Sequence, residues 1–254
     1  MTAPAPTPSP TRTAEHAVSA EGLHKTYGAG ETAVHALAGV DVGFTRGSFH
    51  AIMGPSGSGK STLMHCLAGL DTATAGRVWL GDSELTALGD EQLTRLRRQR
   101  IGFVFQAFNL LPVLDARANI VLPLELAGRR PDSVELAAVV ARLGLADRLG
   151  HRPHELSGGQ QQRVAVARAL LPHPDVVFAD EPTGNLDSRS GAEVLALLRS
   201  SVRETGQTVV MVTHDPTAAA YADRVVLLAD GRLAGELHDP TADSVVDALR
   251  GLGA

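Results

Sequence analysis

The sequence has little of the residues that mark several common classes of protein. Its 254 residues include a single cysteine, Cys66, so no internal disulfide is possible. Cys66 lies in an apolar stretch that follows a glycine-rich loop, and we expect it to pack in the core. No run of roughly 18 or more apolar residues is present, and the N-terminus lacks the apolar segment of a secretory signal. These absences predict a cytoplasmic protein that acts on a membrane, if it does, through a partner.

Positive charge is scarce as well. The chain has 23 lysines and arginines against 28 aspartates and glutamates, which gives a formal net charge of −5. Binding to a nucleic-acid backbone requires clustered lysine and arginine. The one basic run, residues 95–100, is typical of a solvated helix face. We therefore expect no nucleic-acid partner.

Proline and glycine divide the chain into stretches of different character. Residues 1–15 alternate proline with threonine and alanine, a composition typical of a disordered tail. From Val18 to Phe49, short apolar stretches broken by glycines indicate β-structure, which Val78–Leu80 continues. Between about 90 and 170, prolines separate candidate helices, which indicates a helical insertion. The candidate helices are Glu91–Arg100, Ser133–Leu143 and Gln160–Leu171, and the separating prolines are Pro112, Pro123, Pro131 and Pro153.

Short apolar runs return after this stretch, at Val176–Ala179, Thr208–Val212 and Arg224–Leu228, with a candidate helix at Ala192–Glu204. Apolar strands that alternate with helices predict a parallel sheet covered on both faces. With 44% hydrophobic residues, the chain has room for one domain with an inserted subdomain but not for a second full domain.

A glycine-rich loop matches the phosphate-binding pattern G-x-x-x-x-G-K-[ST] between an apolar run and a helical segment. Its glycines allow successive N–H groups to curl around a β-phosphate at the positive end of the next helix. We expect Lys60 to reach the β- and γ-phosphates of ATP and Ser61 to ligate Mg²⁺. The predicted loop comprises Gly54, Pro55, Ser56, Gly57, Ser58, Gly59, Lys60, Ser61 and Thr62.

This loop, set in alternating strands and helices, predicts an α/β fold. The expected architecture is a P-loop NTPase with a parallel-sheet core, an N-terminal antiparallel β subdomain and an inserted helical subdomain. We expect a tail at 1–15, a nucleotide-binding domain at 16–240 with the helical subdomain at about 90–170, and a C-terminal extension at 241–254.

Two further strand ends carry polar side chains. The run at 176–179 ends in Asp180 and Glu181. Asp180 is expected to hold Mg²⁺ through its water shell, and Glu181 to polarise the attacking water. His214 follows the run at 208–212 and is expected at the same sheet edge, where it hydrogen-bonds the γ-phosphate or orients Glu181. His50 lies inside the strand before the phosphate loop, and we expect it to be a hydrogen-bonded core histidine.

A second glycine turn, Ser157-Gly158-Gly159-Gln160, stands where a helix begins. It offers a hydroxyl, free N–H groups and a helix dipole to an anion. ATP bound to one chain needs one such cradle for its phosphates. We therefore expect the second cradle to close over the γ-phosphate held by another copy, in a homodimer that forms on ATP binding. The local alternative is an N-cap alone.

These motifs, in this order, resemble the nucleotide-binding subunit of an ATP-binding cassette transporter. The stretch LSGGQQQRVAVARAL at 156–170 is similar to the signature of that family, and the resemblance extends over about 18–231. It implies an active ATPase in which Tyr27 stacks on adenine. It also implies that Gln106 contacts Mg²⁺ or the attacking water and senses the transporter, and that Asp187 lies in a loop crossing the dimer interface.

Within that family the chain resembles the lipoprotein-release and macrolide-export group, through the stretches 106–112, 119–124 and 179–188. This resemblance implies an integral membrane permease as partner, with few membrane helices and a large extracytoplasmic domain. It also implies that the chain is peripheral on the inner face of the cell membrane and drives export or extraction of a substrate. The proline-rich tail is a departure from the group.

Two other classes of protein share parts of this pattern. A soluble ATPase of the same superfamily, acting on DNA or ribosomes, generally carries coiled-coil, zinc-binding or duplicated cassettes, and this chain has one cassette, one cysteine and no long heptad segment. A small-molecule P-loop kinase explains the phosphate loop but gives the signature helix no purpose.

Overall fold

The computed structural model describes residues 15–252, apart from the side chain of Glu31. The tail predicted at 1–15 lies, except for its last residue, outside the described part of the chain. The strands are β1 (His16–Tyr27), β2 (Val34–Thr45), β3 (Phe49–Met53), β4 (Ala75–Leu80), β5 (Ser83–Glu84), β6 (Ile101–Phe105), β7 (Val176–Asp180), β8 (Val209–Val212), β9 (Arg224–Ala229) and β10 (Arg232–His238). The helices are α1 (Lys60–Leu67), α2 (Asp90–Arg100), α3 (Ala116–Leu126), α4 (Ser133–Arg142), α5 (Gly158–Leu170), α6 (Ser188–Thr205), α7 (Pro216–Ala219) and α8 (Ala242–Gly251).

The strands form two sheets. The N-terminal sheet is antiparallel, with the order β2-β1-β4-β5. The second sheet has the order β10-β9-β3-β8-β7-β6, in which all neighbours are parallel except β10 and β9. The predicted α/β class, with a parallel-sheet core and an antiparallel N-terminal subdomain, is confirmed. Because β3, β7 and β8 are parallel neighbours or near neighbours, their carboxyl ends lie at one edge.

The parallel sheet is buried on both faces. Phe49, Ala51 and Met53 of β3 belong to one hydrophobic cluster, and Ile52 belongs to a second cluster on the opposite face. The first cluster includes residues of α3, α5 and α6, and the second includes α1 and the N-terminal sheet. Cys66 is buried in the second cluster, as predicted, and burial raises the pKa of its thiol to about 11.

The stretch 90–170 contains the predicted helices, which the structure places in α2, α4 and α5, but it is not helical throughout. Ile101–Phe105 forms β6, the edge strand that pairs with β7. Ala116–Leu126 forms α3, a helix that the sequence did not predict, and Pro123 lies inside it instead of separating two helices. The helix tolerates this proline because Asp115 caps its N-terminus and its apolar face, with Ile120, packs in the core.

The C-terminal stretch forms α8, which packs on the core through Val245. Within residues 15–252, no helix combines the length and apolar character needed to cross a bilayer.

Candidate nucleotide-binding site

The phosphate loop joins β3 to α1, in the strand, loop, helix order that the motif requires. Gly59 is the N-cap of α1 and has a positive φ of 98°. A Cβ at this position would lie 2.3 Å from the carbonyl oxygen of Ala36, and one at Gly54 would lie 1.9 Å from that of Leu228. Both positions therefore require glycine, because the neighbouring backbone leaves no room for a side chain.

The ammonium of Lys60 points back into this loop. Its Nζ donates hydrogen bonds to the carbonyl oxygens of Gly54 (3.0 Å) and Pro55 (2.8 Å). Burial lowers the pKa of Lys60, and the nearby carboxylate of Glu181 opposes that shift. A donor inside a loop of backbone N–H groups is the arrangement that binds phosphate oxygens.

The two carboxylates predicted for catalysis and metal binding lie where expected, at the end of β7. Asp180 is the last residue of the strand, and burial raises the pKa of its carboxyl group. The nearby imidazole of His65 opposes that shift, and the charge of Glu181 adds to it. A partly buried carboxyl group whose charged form is disfavoured gains from a cation bound beside it.

Glu181 follows with a positive φ of 45°, which directs the chain away from the strand. Its N–H donates to the carbonyl oxygen of Val212, 2.9 Å away, at the end of β8. The Nδ1 of His214 lies 2.8 Å from Oε1 of Glu181. This contact is the geometry that the second predicted role of His214, the orientation of Glu181, requires, and the role itself stays a prediction.

These residues surround a cavity of about 590 Å³. It is lined by Gly54, Ser56, Gly57, Gly59, Lys60, Ser61 and Thr62 of the phosphate loop, by Glu181, Val212 and His214, and by Val34, His35 and Ala36 of β2. The cavity is large enough for a nucleotide. It has the phosphate loop on one side and the hydrogen-bonded pair of Glu181 and His214 on the other.

Gln106 does not line this cavity. Its Nε2 donates to Oδ1 of Asn185 (3.0 Å), and Nδ2 of Asn185 donates to the carbonyl oxygen of Gln106 (3.1 Å). A Cβ at Gly184 would lie 2.7 Å from Nε2 of Gln106, so the glutamine side chain packs directly on that glycine. The role of Gln106 toward Mg²⁺ or water stays a prediction that requires the side chain to leave Asn185.

The signature turn also lies outside the cavity lining. Ser157 caps α5, since its hydroxyl accepts from the N–H of Gln160 (3.3 Å) while Oε1 of Gln160 accepts from the N–H of Ser157 (3.0 Å). This reciprocal pair is a capping box. The local alternative of an N-cap is therefore realised within one chain. The added role of Ser157, Gly158, Gly159 and Gln160 toward a second copy's ATP remains a prediction.

Asp187 caps α6 close to this turn. Its carboxylate accepts from the N–H groups of Ser190 (3.0 Å) and Arg189 (3.1 Å) and from the Ser190 hydroxyl (2.7 Å). The backbone hydrogen bond from Ser190 is the main cause of the lowered pKa of Asp187. A Cβ at Gly159 would lie 2.9 Å from the Ser190 hydroxyl, so the signature turn and the start of α6 are in close contact.

Sequence reasoning gave no role to two side chains of α5 that connect the parts of the site. Gln162 is fully buried, and its Nε2 donates to the carbonyl oxygens of Pro182 (2.5 Å) and Phe105 (3.3 Å). Arg168 donates to the carbonyl oxygens of Asn109 (2.6 Å) and Phe108 (2.9 Å). Both residues stand inside the quoted signature stretch, which is the signal that marked them for attention.

The residues present fit a Mg²⁺ ion bound mainly through phosphates. Ser61 lines the cavity and Asp180 lies at the adjacent strand end, and both offer the oxygen donors that Mg²⁺ prefers. Within residues 15–252, no group of three or more histidine, cysteine or acidic side chains is arranged to hold a metal. Mg²⁺ usually keeps one or two protein ligands together with water and substrate phosphates, and Ser61 and Asp180 are the residues that would supply the protein ligands.

Fold and site together define an ATP-binding cassette, the ATPase unit of a large family. Residues 37–184, more than half of the chain, match the family model described as ABC transporter. The chain belongs to the ABC transporter family, and the resemblance drawn from its motifs is confirmed.

Several named relatives are similar over most of the chain. The macrolide export ATP-binding/permease protein MacB of Marinobacter nauticus (strain ATCC 700491 / DSM 11845 / VT8) is 47% identical over 218 residues, which cover 85% of this chain and 34% of that protein. The pyoverdine export ATP-binding/permease protein PvdT of Pseudomonas syringae pv. syringae (strain B728a) is 44% identical over 229 residues, 89% of this chain and 35% of that one. The chain thus spans about a third of the length of the curated relatives it matches.

A solved structure is similar over nearly its whole length. The ATP-binding cassette MJ0796, described as a dimer in a post-hydrolysis state bound to ADP and Pi, aligns with a TM-score of 0.79 and 41% sequence identity. The alignment covers 87% of this chain and 98% of that one.

Proposed function

We propose that two copies of this chain bind ATP between them, hydrolyse it, and couple the cycle to a membrane permease that exports or extracts a substrate. The observation that carries the proposal is the division of the site. The cavity joins the phosphate loop to Glu181 and His214, while the signature turn lies outside its lining. A second copy supplies a signature turn to complete the enclosure of the phosphates.

The polar groups at the cavity and at the adjacent strand end have chemical roles in this proposal. The loop N–H groups and Lys60 bind the phosphates. Ser61 and Asp180 are the residues that would hold Mg²⁺, which when bound neutralises charge on the β- and γ-phosphates. Glu181 accepts a proton from the attacking water, and His214 donates a hydrogen bond that keeps Glu181 oriented.

Solved structures that share 41% of their sequence with this chain support the dimer arrangement. A cassette 41% identical to this chain is described as dimeric, in one case with ADP and Pi bound. In our proposal Ser157, Gly158, Gly159 and Gln160 contact the γ-phosphate held by the other copy, and Asp187 lies at the interface between the two. Tyr27 stacks on the adenine.

The permease is proposed to dock in a groove between β6 and α3. This groove, about 510 Å³, has an apolar lining that includes Leu70, Phe103, Phe105, Leu122, Pro123 and Leu126. Leu126 is 61% exposed and Leu70 is 45% exposed, so the groove presents apolar surface to solvent. Arg168 also lines the groove, so a docked helix contacts the signature helix directly.

The names of the relatives support a membrane permease as the partner. Several are export proteins in which an ATP-binding part and a permease are joined, for macrolides or pyoverdine. We infer that this chain serves a permease of that kind, with a large extracytoplasmic domain, and that it lies on the inner face of the membrane through that contact.

The catalytic part of the proposal is tested by Glu181→Gln. We expect phosphate release to fall by at least about 100-fold, since a general base contributes roughly 10² to 10⁴ in rate. ATP affinity should stay near that of the wild type, because the phosphate loop is untouched. The matched control is Glu193→Gln on α6, a half-buried glutamate that pairs with arginines and lies outside the cavity lining. Wild-type turnover in Glu181→Gln would remove this residue from the role.

The partner is tested by tagging the Glu181→Gln chain, extracting native membranes in mild detergent with ATP, and identifying copurifying proteins by mass spectrometry. A stoichiometric polytopic membrane protein supports the transporter. Recovery in the soluble fraction with nucleic acid or ribosomes would instead support the soluble ATPase.

A further inference from the structure

Three side chains next to the nucleotide cavity form a connected cluster, which we call the Tyr27 clamp: Lys25, Tyr27 and Asp71. Tyr27 is the last residue of β1, and its hydroxyl donates to Oδ2 of Asp71, 2.6 Å away. Nζ of Lys25 donates to Oδ1 of the same carboxylate (2.5 Å) and to the carbonyl oxygen of Thr72 (2.8 Å). Asp71 thus receives a hydrogen bond on each oxygen.

The clamp also fixes one face of the tyrosine ring. The Lys25 ammonium lies 4.7 Å from the ring centroid, a cation–π distance. Lys25 and Asp71 have side-chain exposures of 12% and 27%. A nearby pair on the same sheet, Arg77 and Glu21, is longer (3.4 Å) and more exposed, at 55% and 41%. Charge-assisted hydrogen bonds that are short and sheltered hold side chains better than such surface pairs do.

The clamp borders the cavity. Tyr27 pairs with Val34, a cavity-lining residue, in the β1–β2 register. Thr62, the last residue of the phosphate loop, lines the same cavity. Tyr27 is nevertheless 42% exposed, so part of the ring stays open to solvent beside the place where phosphates bind.

We propose that Lys25 and Asp71 are positioning residues that hold the Tyr27 ring ready to stack on the nucleotide base. Lys25 covers one face of the ring, and the base takes the other. A free aromatic side chain loses rotamer freedom when it stacks, and a ring already held by the clamp avoids that cost. The clamp therefore contributes to affinity for the base and not to affinity for the phosphates. This inference rests on the proposed ATP binding and on the stacking role of Tyr27.

The test compares binding of Mg-ATP with binding of inorganic tripolyphosphate, which has the phosphates but no base. We expect Asp71→Ala and Tyr27→Phe each to raise the Kd for ATP about 3- to 10-fold, a part of what base stacking contributes. The Kd for tripolyphosphate should change by less than about twofold in both variants, and kcat at saturating ATP should change by less than about twofold in Asp71→Ala, since the phosphate loop and Glu181 are intact. The Kd for ATP of the double variant should be no higher than that of the single variant with the higher Kd, because both changes break the same hydrogen bond.

Glu21→Ala is the matched control, because it also removes a carboxylate paired with a cation on the same sheet. It should leave both Kd values unchanged. Equal weakening of ATP and tripolyphosphate by Asp71→Ala, or no change in either, would overturn the inference. Tyr27→Phe keeps the ring and removes the hydroxyl, so it tests the clamp even if Asp71→Ala does not fold.

Two other measurements test the proposed function separately from the clamp. Absence of ATP binding by the wild type would overturn nucleotide binding itself. ATP affinity unchanged in Tyr27→Ala would overturn the stacking role of the ring. If Tyr27→Ala weakens ATP binding and Asp71→Ala does not, the positioning role of the clamp is overturned while the stacking role of Tyr27 stands.

Discussion

Glu181 combines an unfavourable backbone conformation with a fixed side chain. A non-glycine residue in the left-handed region costs on the order of 1–3 kcal/mol. Here the φ of 45° is accompanied by hydrogen bonds from its N–H to Val212 and to its carboxylate from His214. The neighbouring strand thus holds the carboxylate toward the cavity before any substrate arrives. This is the arrangement expected of a preorganised general base.

His50 shows how burial of one residue makes stability depend on pH. It is 2% exposed, its Nε2 contacts the carbonyl oxygen of Thr45 (3.2 Å), and Nδ1 has no hydrogen-bond partner among the described residues. Burial lowers the pKa of His50 from its ordinary 6.5 to about 4. The prediction of a hydrogen-bonded core histidine is confirmed.

The sign of this pH dependence follows from the two states. Below pH 6.5 the unfolded chain binds a proton at His50, while the folded chain does so only near pH 4. Stability is therefore lost as pH falls through this window, by about 3 kcal/mol at most. We expect His50→Gln to flatten the dependence, measured as urea unfolding free energy at pH 7 and pH 5. An unchanged difference between the two pH values would contradict this assignment.

At the scale of elements, helix α5 connects the signature turn to both strand ends of the site. Its first turn holds the signature, Gln162 bonds the backbone beside Gln106 and Glu181, and Arg168 holds residues 108 and 109. Both Phe108 and Asn109 have positive φ values, 60° and 49°. Burial lowers the pKa of the Arg168 guanidinium. Helix α5 is therefore hydrogen-bonded both to the backbone beside Gln106 and to the backbone of residues 108 and 109.

Gln162→Leu tests this connection. The change leaves the carbonyl oxygens of Phe105 and Pro182 without their buried donor, which costs about 1–3 kcal/mol of stability. We expect a lower unfolding free energy in urea and slower phosphate release, because Gln106 directly follows Phe105 and Glu181 directly precedes Pro182 in the chain.

The adjacent change Gln161→Leu is the control. Among the described residues, the Nε2 of Gln161 donates to the carbonyl oxygen of Leu156, just before the same helix, and not to a strand end of the site. Its effect on phosphate release should be small. Equal losses of activity in the two variants would show that Gln162 has no special role.

At the scale of the whole molecule, the decisive expectation is that the ATP site is completed by a second copy. A substitution at Gly158 tests this expectation without destabilising the fold of the single chain. A Cβ at this position would meet no atom closer than 3.5 Å, and an acidic residue is favourable in the first turn of a helix. Its negative charge would face the γ-phosphate of the other copy in the proposed dimer.

We expect Gly158→Asp, in the Glu181→Gln background, to bind ATP normally but to stay monomeric with ATP. Size-exclusion chromatography with light scattering measures this. Gly158→Ala adds only the Cβ and should dimerise like the parent. The dimer model is contradicted if Gly158→Asp dimerises as fully as Gly158→Ala.

The sequence by itself determined the features that depend on neighbouring residues. The phosphate loop needs consecutive residues between a strand and a helix, and the capping box needs Ser157 and Gln160 three positions apart. The apolar runs before Asp180 and before His214 sufficed to place both residues at one edge, because parallel strands end on the same side of a sheet. Burial of His50 and Cys66 followed from the apolar stretches around them.

The tertiary structure alone decided the features that depend on distant residues. The edge strand β6 exists because β7 offers it a partner, and α3 keeps Pro123 because the core buries its apolar face. Gln106 turns toward Asn185, 79 positions away, and Tyr27 toward Asp71, 44 positions away. No local pattern encodes such contacts, since the direction of a side chain is set by the elements that pack around it.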